Sequence, residues 1–294
     1  MSSVSGSIEA PRSLWSDAGY ALRRNRAAMT AAIVLGVLVL LVVFGPALSP
    51  YQFDKPDWDH IAMPPTLADG HLFGTDALGR DLLSRTLHGG RMSLLVGLVS
   101  TIVSLVIGIA WGATAGFIGG RTDRIMMRIV DILYALPFMF LVILLMVLFG
   151  RQIVLIFVAI GAINWLDMAR IVRGQTLGLK QREYIEAARV SGVRTGRIIL
   201  RHIVPNLLGV VVIYVTLTIP QVILVESFLS FLGLGVQEPM TSWGALVSEG
   251  AQEMENAPWM LVFPSLFLAL TLFCFNFLGD GLRDALDPRD RSRA

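Results

Sequence analysis

Few side chains in this 294-residue chain have the types and spacing that catalysis requires. The four histidines form no His-Glu-x-x-His helix motif, and no Gly-x-Ser-x-Gly elbow presents a nucleophile. The single cysteine, Cys274, lies inside an apolar run, so it can form neither an internal disulfide nor a cysteine-based metal site. We therefore expect no catalytic residue, no metal site and no enzymatic activity in this chain.

Lysine is rare, and its placement excludes the usual nucleotide-binding loop. Of the 24 basic residues only Lys55 and Lys180 are lysines, and neither follows a glycine. A P-loop needs a Gly-Lys pair, because its lysine reaches the phosphates. We expect no cofactor bound by this chain, and any ATP that drives its work would be bound by another subunit.

Polar side chains interrupt the apolar runs at Asn164, Asp167, Glu226 and Asn276. Such groups at membrane depth are candidates for a functional pathway by default. Asn164 and Glu226 are the candidates for a pathway or an outer gate, and a satisfied packing role for Glu226 is an equal alternative. A proton-coupled transporter usually needs a deeper series of such groups, so the sequence indicates no proton relay.

Residues 183–206 form the one long charged stretch between two strongly apolar runs, and we call them the helix–turn–helix segment. Good helix formers predict a first helix over residues 184–190, and Gly192 stands where a helix would end in the left-handed conformation. Thr195 is a candidate cap for a second helix, which Pro205 would stop. The pattern predicts a binding surface for a partner; a solvated amphipathic loop is the alternative.

Composition places the chain among membrane proteins. Charged residues make up 16% and apolar residues 54%, whereas a soluble domain carries about 25% charged residues. Six apolar runs approach or exceed the about 17–25 residues of a spanning helix. They cover residues 27–48, 93–118, 129–149, 153–169, 207–232 and 259–278. Because only helices and closed barrels satisfy the backbone in lipid, and runs this long exclude a barrel, we predict an all-α membrane protein with six transmembrane helices.

Arginine and lysine predict the orientation, because inner loops carry an excess of positive charge. With both ends in the cytoplasm, 19 of the 24 basic residues lie inside. The predicted order is a cytoplasmic leader (1–26), a first helix (27–48), an outer loop (49–92), a core of five helices (93–278) and a cytoplasmic tail (279–294). Within the core, residues 170–206 lie inside and residues 233–258 outside. A signal peptide is the alternative for the first run, whose 22 residues exceed the about 7–15 of such a segment.

Glycines and prolines add detail to these helices. Gly108, Gly112 and Gly116 recur every four residues on one face, and small residues at this spacing let helix backbones approach closely. We predict a packing seam there. Prolines interrupt three other runs, at Pro137, Pro220 and Pro264, which is typical of helices that kink where neighbours satisfy the freed carbonyls.

The helix–turn–helix segment resembles a known motif. Glu186-Ala187-Ala188, followed four residues later by Gly192 and then by Arg-His-x-x-Pro-Asn at residues 201–206, is similar to the coupling loop of ABC importer permeases. Three further blocks, at residues 71–85, 226–244 and 276–288, are similar to other segments of that family. Four ordered blocks over about residues 14–290 resemble the C-type (dipeptide permease C-like) subunit of the dipeptide/oligopeptide/nickel branch.

The resemblance implies an assembly. It would be a type I (MetI-like) bundle in the bacterial plasma membrane, paired with a homologous B-type permease subunit. Two cytoplasmic ABC ATPase subunits would hold ATP and Mg, and an extracytoplasmic substrate-binding protein would deliver di- or oligopeptides. The lipid bilayer is a further partner, and no nucleic acid is expected. The same architecture could import nickel, haem or another small solute; a stand-alone secondary transporter or channel is the alternative from a different class.

The resemblance also assigns roles to side chains. A small-sided helix face would enter a cleft of the ATPase, with charged contacts around it. The implied ATPase-coupling residues are Glu186, Ala187, Ala188, Arg189, Gly192, Arg194, Arg197 and Pro205. On the outside, Asp76, Asp81 and Glu238 are candidates for docking the binding protein. The alternative is that outer loops are acidic only because basic residues are kept inside.

Overall fold

The structure is a computed structural model that describes residues 14–150 and 152–286. Within these residues the helices are α1 (Leu14–Arg24), α2 (Arg26–Leu48), α3 (Leu82–Ile118), α4 (Gly120–Tyr134), α5 (Phe138–Phe149), α6 (Ile153–Leu179), α7 (Glu183–Val190), α8 (Thr195–Ile198), α9 (Val204–Phe231), α10 (Trp243–Gln252) and α11 (Trp259–Leu286). No strand occurs in this part of the chain, as the all-α prediction requires. Residues 1–13 of the predicted leader and 287–294 of the predicted tail lie outside the described residues.

Four helices in the described part are long and apolar enough to cross a membrane: α2, α3, the continuous helix Thr195–Phe231, and α11. Helices α4 and α5 together offer a fifth candidate, but they meet at an angle of 79°. The predicted run 153–169 lies within α6, a helix of 27 residues. The six-span count and the orientation of the two ends stay predictions.

Helix α3 begins at Leu82, earlier than the residue Ser93 that hydropathy predicts. The carboxylate of Asp81 caps it by accepting a hydrogen bond from the backbone N–H of Ser84 (2.7 Å). The predicted outer loop 233–258 likewise contains the short helix α10. Hydropathy predicts neither the first turns of α3 nor α10, because the polar residues in these segments give them the composition of a loop.

Arg91 links α3 to α2 beside a proline. Pro46 has no N–H, so the carbonyl of Val42 has no helical donor four residues along. The Nε of Arg91 donates to that carbonyl (2.9 Å), and its Nη2 donates to the carbonyl of Val43. The charged side chain of Arg91, which hydropathy scores as unfavourable in a membrane helix, thus satisfies the carbonyl of Val42 that Pro46 leaves without a donor.

The chain bends sharply between α4 and α5. Pro137 precedes α5 with an extended backbone, and α4 ends at Tyr134. A residue that precedes proline is disfavoured in the helical region, which explains why the helix does not continue. The predicted interruption at Pro137 is a break, whereas Pro220 and Pro264 lie inside α9 and α11.

Helices α3 and α6 pack against each other along the glycine face. A Cβ atom added at Gly112 would lie only 2.4 Å from the carbonyl oxygen of Ala169. At Gly108 it would lie 2.5 Å from the Cβ of Met168, and Gly116 faces α6 in the same way. Only glycine permits this approach, because side chains do not tolerate contacts of this length.

We expect Gly112→Ala to destabilise the bundle by about 1–3 kcal/mol, because the added methyl group meets backbone atoms of α6. The matched control is Gly174→Ala on α6, where the space around an added Cβ is empty. Helix propensity predicts that this control is neutral or stabilising by up to about 1 kcal/mol. The free energy of unfolding in detergent, measured by denaturant titration, separates the two. Equal stability of both variants would contradict the inference that the glycine face of α3 packs tightly against α6.

Candidate functional site

The turn of the helix–turn–helix segment is built around Gly192, whose φ is +76°. The N–H of Gly192 donates to the carbonyl of Arg189, and the N–H of Val193 donates to the carbonyl of Ala188, both at 3.1 Å. This pair of bonds is a Schellman motif, which ends a helix with a left-handed residue. Glycine adopts that conformation without strain, so the predicted position of the turn matches the structure.

Isoleucines anchor the segment to the bundle. Ile185 of α7 and Ile198 of α8 are fully buried. They belong to one apolar cluster with Phe117 of α3 and with Met168 and Val172 of α6. Because this packing fixes the base of the segment on two long helices, a displacement of α7 must be passed to them.

The opposite face of α7 is open. Of the predicted coupling residues, Glu186, Ala187, Arg189, Gly192, Arg194 and Arg197 are exposed, and Ala188 is half-buried. Val190, next to them, exposes 84% of an apolar side chain. The guanidinium of Arg189 lies 4.9 Å from the ring centroid of Phe117, a cation–π contact that orients this side chain toward α3.

The second half of the segment differs from the prediction. Helix α8 follows Arg194, and Thr195 does not cap it. Residues 199–203 form one π-helical turn, in which the N–H of Val204 donates to the carbonyl of Ile199. Pro205 then lies in the first turn of α9 and, having no N–H, cannot donate to a carbonyl of the π-helical turn before it. The prediction that Pro205 stops the helix is therefore wrong: the chain continues without a break into α9.

The carboxylate of Glu226 accepts hydrogen bonds from serine hydroxyls, an arrangement that we call the Glu226 cage. It is fully buried; the Oγ of Ser230 donates to it at 2.7 Å and the Oγ of Ser93 at 3.4 Å. The Oγ of Ser93 also accepts a hydrogen bond from the backbone N–H of Trp243 (3.1 Å). The cage joins α3, α9 and α10, so this geometry favours packing over the alternative of a solvated pathway residue.

Asn164 lies at a cleft of about 360 Å³ where α4 and α5 meet α6. The Nδ2 of Asn164 donates to the carbonyl of Ile160 (3.0 Å), and the hydroxyl of Tyr214 donates to the backbone carbonyl of Asn164 (3.3 Å). Asp167 lines the same cleft among apolar side chains. Asn164 is therefore placed where a pathway residue could stand, and that role stays a prediction.

An ion cluster joins the two predicted outer loops. Asp76 is 1% exposed and accepts hydrogen bonds from Nε of Arg80 (2.7 Å) and Nη1 of Arg85 (2.5 Å). Arg80 also donates to Glu238 (2.8 Å), and Arg85 to Glu249 (2.7 Å). Burial alone would lower the pKa of Arg80, but its hydrogen bond to Glu238 and the charge of Asp76 outweigh burial and raise the pKa.

Asp81 is buried as well, at 3% exposure. Its Oδ1 lies 2.9 Å from Nδ1 of His71, and its Oδ2 caps α3. Asp76 and Asp81 therefore face inward, and this geometry contradicts the prediction that they contact a binding protein directly. The side chain of Glu238 is 64% exposed and remains an accessible docking candidate.

Comparison with known proteins places the chain in a family. A protein-family model described as the binding-protein-dependent transport system inner membrane component matches residues 93–292. The chain belongs to this family. A second model, the N-terminal TM domain of oligopeptide transport permease C, matches residues 13–65. The resemblance to C-type ABC importer permeases is confirmed, and the chain is a multi-pass inner membrane permease.

Individual relatives of this permease match nearly its full length. The oligopeptide transport system permease protein OppC of Haemophilus influenzae is 57% identical over 280 residues, which cover 95% of this chain and 90% of that protein. OppC of Escherichia coli is 58% identical, with 95% and 93% covered. The dipeptide transport system permease protein DppC of Bacillus subtilis is 46% identical, with 94% and 86% covered.

A solved structure shares the fold. Inward-facing structures of the MetNI methionine ABC transporter contain a chain that matches the permease with a TM-score of 0.56 and 22% identity. The match covers 70% of this chain and 96% of that one. The permease therefore has the MetI-like fold that the resemblance implied.

Sequence reasoning missed two features of the permease. Val190 lies within the predicted coupling motif, between Ala188 and Gly192, and its exposure was not foreseen, although an apolar residue at the end of a charged helix is a visible signal. Asp57, His60 and His71 come together in the loop between α2 and α3. The spacing Asp57-x-x-His60 was the available signal, but it lies in irregular structure where helical ligand motifs do not apply.

We expect Asp76→Asn to destabilise the permease by about 3–5 kcal/mol, because it removes a carboxylate between two buried guanidinium groups. The matched control is Glu238→Gln, which changes an exposed member of the same cluster and should cost at most about 1 kcal/mol. Unfolding in detergent measures both. A fully stable Asp76→Asn protein would show that the ion cluster does not hold the loops together.

We expect Glu226→Leu to destabilise the permease by about 1–3 kcal/mol, because the buried hydroxyls of Ser93 and Ser230 lose their acceptor. Glu226→Gln keeps an acceptor oxygen and should cost less. The measurements are unfolding in detergent and substrate uptake. Normal stability of the leucine variant combined with lost uptake would restore the alternative that Glu226 lines the pathway.

Proposed function

We propose that this chain is the C-type membrane subunit of an ATP-driven importer of oligopeptides and dipeptides, and that α7 binds a separate ATPase subunit in the cytoplasm. The observation that carries the proposal is a helix that exposes Glu186, Ala187 and Arg189 while its opposite side is locked into the bundle by Ile185. An exposed helix face fits a groove on a partner protein. The family indicates an ABC importer, and the anchored helix α7 is the proposed contact with the ATPase.

The substrate class follows from the relatives. Those named above are described as oligopeptide and dipeptide permeases, and a glutathione permease of Pectobacterium atrosepticum is 40% identical over 282 residues. All three substrates contain peptide or peptide-like bonds. This pattern supports peptide import rather than import of nickel or haem.

The remaining partners complete the machine. Because the sequence has no Gly-Lys pair for a P-loop, ATP and Mg belong to two ATPase subunits. A homologous B-type permease would provide the other half of the pathway. An extracytoplasmic binding protein would deliver the peptide, with Glu238 an accessible contact at the outer surface.

The mechanism transmits motion through packing. When ATP closes the ATPase dimer, the ATPases displace α7 by its exposed face. Ile185 and Ile198 pass this displacement to Phe117 on α3 and to Met168 on α6, because all four share one apolar cluster. Ile203 carries the same displacement into α9 through the π-helical turn. Tilting of these helices would then alternate access to the pathway between the two sides.

We expect Gly192→Val to uncouple ATP hydrolysis from uptake. A β-branched residue at φ +76° costs on the order of 1–2 kcal/mol and reshapes the end of α7. The measurements are uptake of a labelled oligopeptide by a strain lacking the chromosomal permease, and ATPase activity of the purified complex. Uptake should fall while protein level and unfolding temperature stay near those of the wild type.

Gly196→Val is the matched control, since Gly196 lies in the same segment, has no positive φ and has empty space around an added Cβ. It should retain uptake. In the same assay, unlabelled di- and oligopeptides should compete with the labelled peptide and Ni²⁺ should not. Normal coupling in Gly192→Val would remove the role of the turn, and competition by Ni²⁺ alone would contradict peptide import.

A further inference from the structure

A cluster of histidine and aspartate side chains lies in the loop between α2 and α3, away from the helix–turn–helix segment. Asp57, His60 and His71 each offer one ligand atom, and these atoms lie within 4.8 Å of one another. Two imidazoles and one carboxylate form a mixed nitrogen and oxygen set, which is the ligand chemistry of zinc sites. None of these three residues belongs to the helix–turn–helix segment or to the ion cluster around Asp76.

The imidazole ring of His71 is held in one orientation by Asp81 and Tyr51. Its Nδ1 lies 2.9 Å from Oδ1 of Asp81, and both side chains are buried. A carboxylate only accepts, so Nδ1 carries the proton and the lone pair remains on Nε2. The ring also stacks on Tyr51, with 4.3 Å between centroids. A carboxylate that holds a histidine in one tautomer is the usual support of a metal-bound imidazole.

His60 and Asp57 form the more accessible half of the cluster. The Nδ1 of His60 lies 2.9 Å from Oδ2 of Asp57, and both side chains are partly exposed. Two atoms bound to one zinc ion at about 2.0–2.1 Å lie roughly 3.3 Å apart in a tetrahedral site. The His60–Asp57 pair is thus already near ligand spacing. A metal ion that takes this place releases the shared proton to solvent.

The backbone holds the two halves together without using the ligand atoms. The hydroxyl of Thr75 donates to the carbonyl of His60 (2.5 Å), and the N–H of Ala62 donates to the carbonyl of Asp76 (2.9 Å). Gly79, with φ +76°, lets the Asp57 backbone approach so closely that an added Cβ would lie 1.8 Å from its carbonyl oxygen. The backbone of the site is therefore held in place, and the partly exposed side chains of His60 and Asp57 would have to rotate to bring ligand atoms that lie within 4.8 Å of one another to the roughly 3.3 Å of a tetrahedral site.

We propose that Asp57, His60 and His71 bind one zinc ion, with Asp81 orienting His71 and a fourth position open to water. Three protein ligands with one open position are a standard zinc arrangement. The ion would connect residues 57–60 to the segment that carries His71 and the ion cluster. It would thereby stabilise the outer loop, and this inference does not depend on which solute the permease carries.

The test measures zinc binding by the detergent-purified full-length permease after chelator treatment and dialysis. Wild-type protein titrated with ZnCl₂ should bind about one zinc ion per chain and unfold at a higher temperature. His60→Gln and Asp57→Asn change partly exposed side chains, so both variants should fold. Each should weaken zinc binding by at least about 10–100-fold, the loss typical even of outer ligand partners.

Matched controls are His202→Gln, a histidine distant in sequence, and Asp54→Asn, an exposed aspartate of the same loop. Both should bind zinc like the wild type. Wild-type protein that binds no zinc, or ligand variants that bind it as tightly as the controls, would overturn the proposal and leave two ordinary histidine–aspartate pairs.

Discussion

Helices α3 and α6 touch through their backbones because glycines on α3 leave no side chain between them. Gly112 lies against Ala169, and one turn further along α3 Gly116 lies against Arg173. The next residue, Phe117, belongs to the apolar cluster that anchors α7 and α8. The seam and the base of the helix–turn–helix segment are therefore one continuous contact. Separating these two helices would also loosen the segment that is proposed to bind the ATPase.

Polar groups are treated differently at the two ends of the bundle. Around α10 they are buried and paired: Arg85 lies between Asp76 and Glu249, and the indole N–H of Trp243 donates to the carbonyl of Thr86 (2.9 Å). On α7 the charged side chains are exposed and make no ion pair within the described residues, although Arg189 also lies over the ring of Phe117 on α3. The first arrangement fixes the loops, whereas the second leaves a charged surface accessible to solvent.

The sequence predicted features that depend on local chemistry. Run lengths located the apolar helices, and the position of Gly192 predicted a left-handed turn because only neighbouring residues decide it. Features that depend on distant partners were missed. Hydropathy treated Arg85 as a loop residue, but its partner Glu249 is 164 residues away and allows it to be buried in a helix. The partners of Asp76 are Arg80 and Arg85, which lie nearby in the chain but also bind Glu238 and Glu249 of the distant loop. Asp76 was therefore predicted to be an exposed docking residue although it is buried. The cleft at Asn164 depends on the bend before α5, which the proline pattern alone predicts only as a kink.

The unexpected continuity of the helix Thr195–Phe231 changes how motion can travel. A straight helix of 37 residues is about 55 Å long, so one element carries both part of the helix–turn–helix segment and the hydrogen bonds of Glu226. Near one end, Ile203 and Leu207 pack in the cluster that contains Phe117 of α3. Near the other, Glu226 is hydrogen-bonded to Ser93 of α3. Because the helix is attached to α3 at both places, it cannot slide along α3 without breaking one of them. Motion that enters at α7 should therefore turn or tilt these helices as a unit, with the π-helical turn before Pro205 as the place where the backbone is least regular.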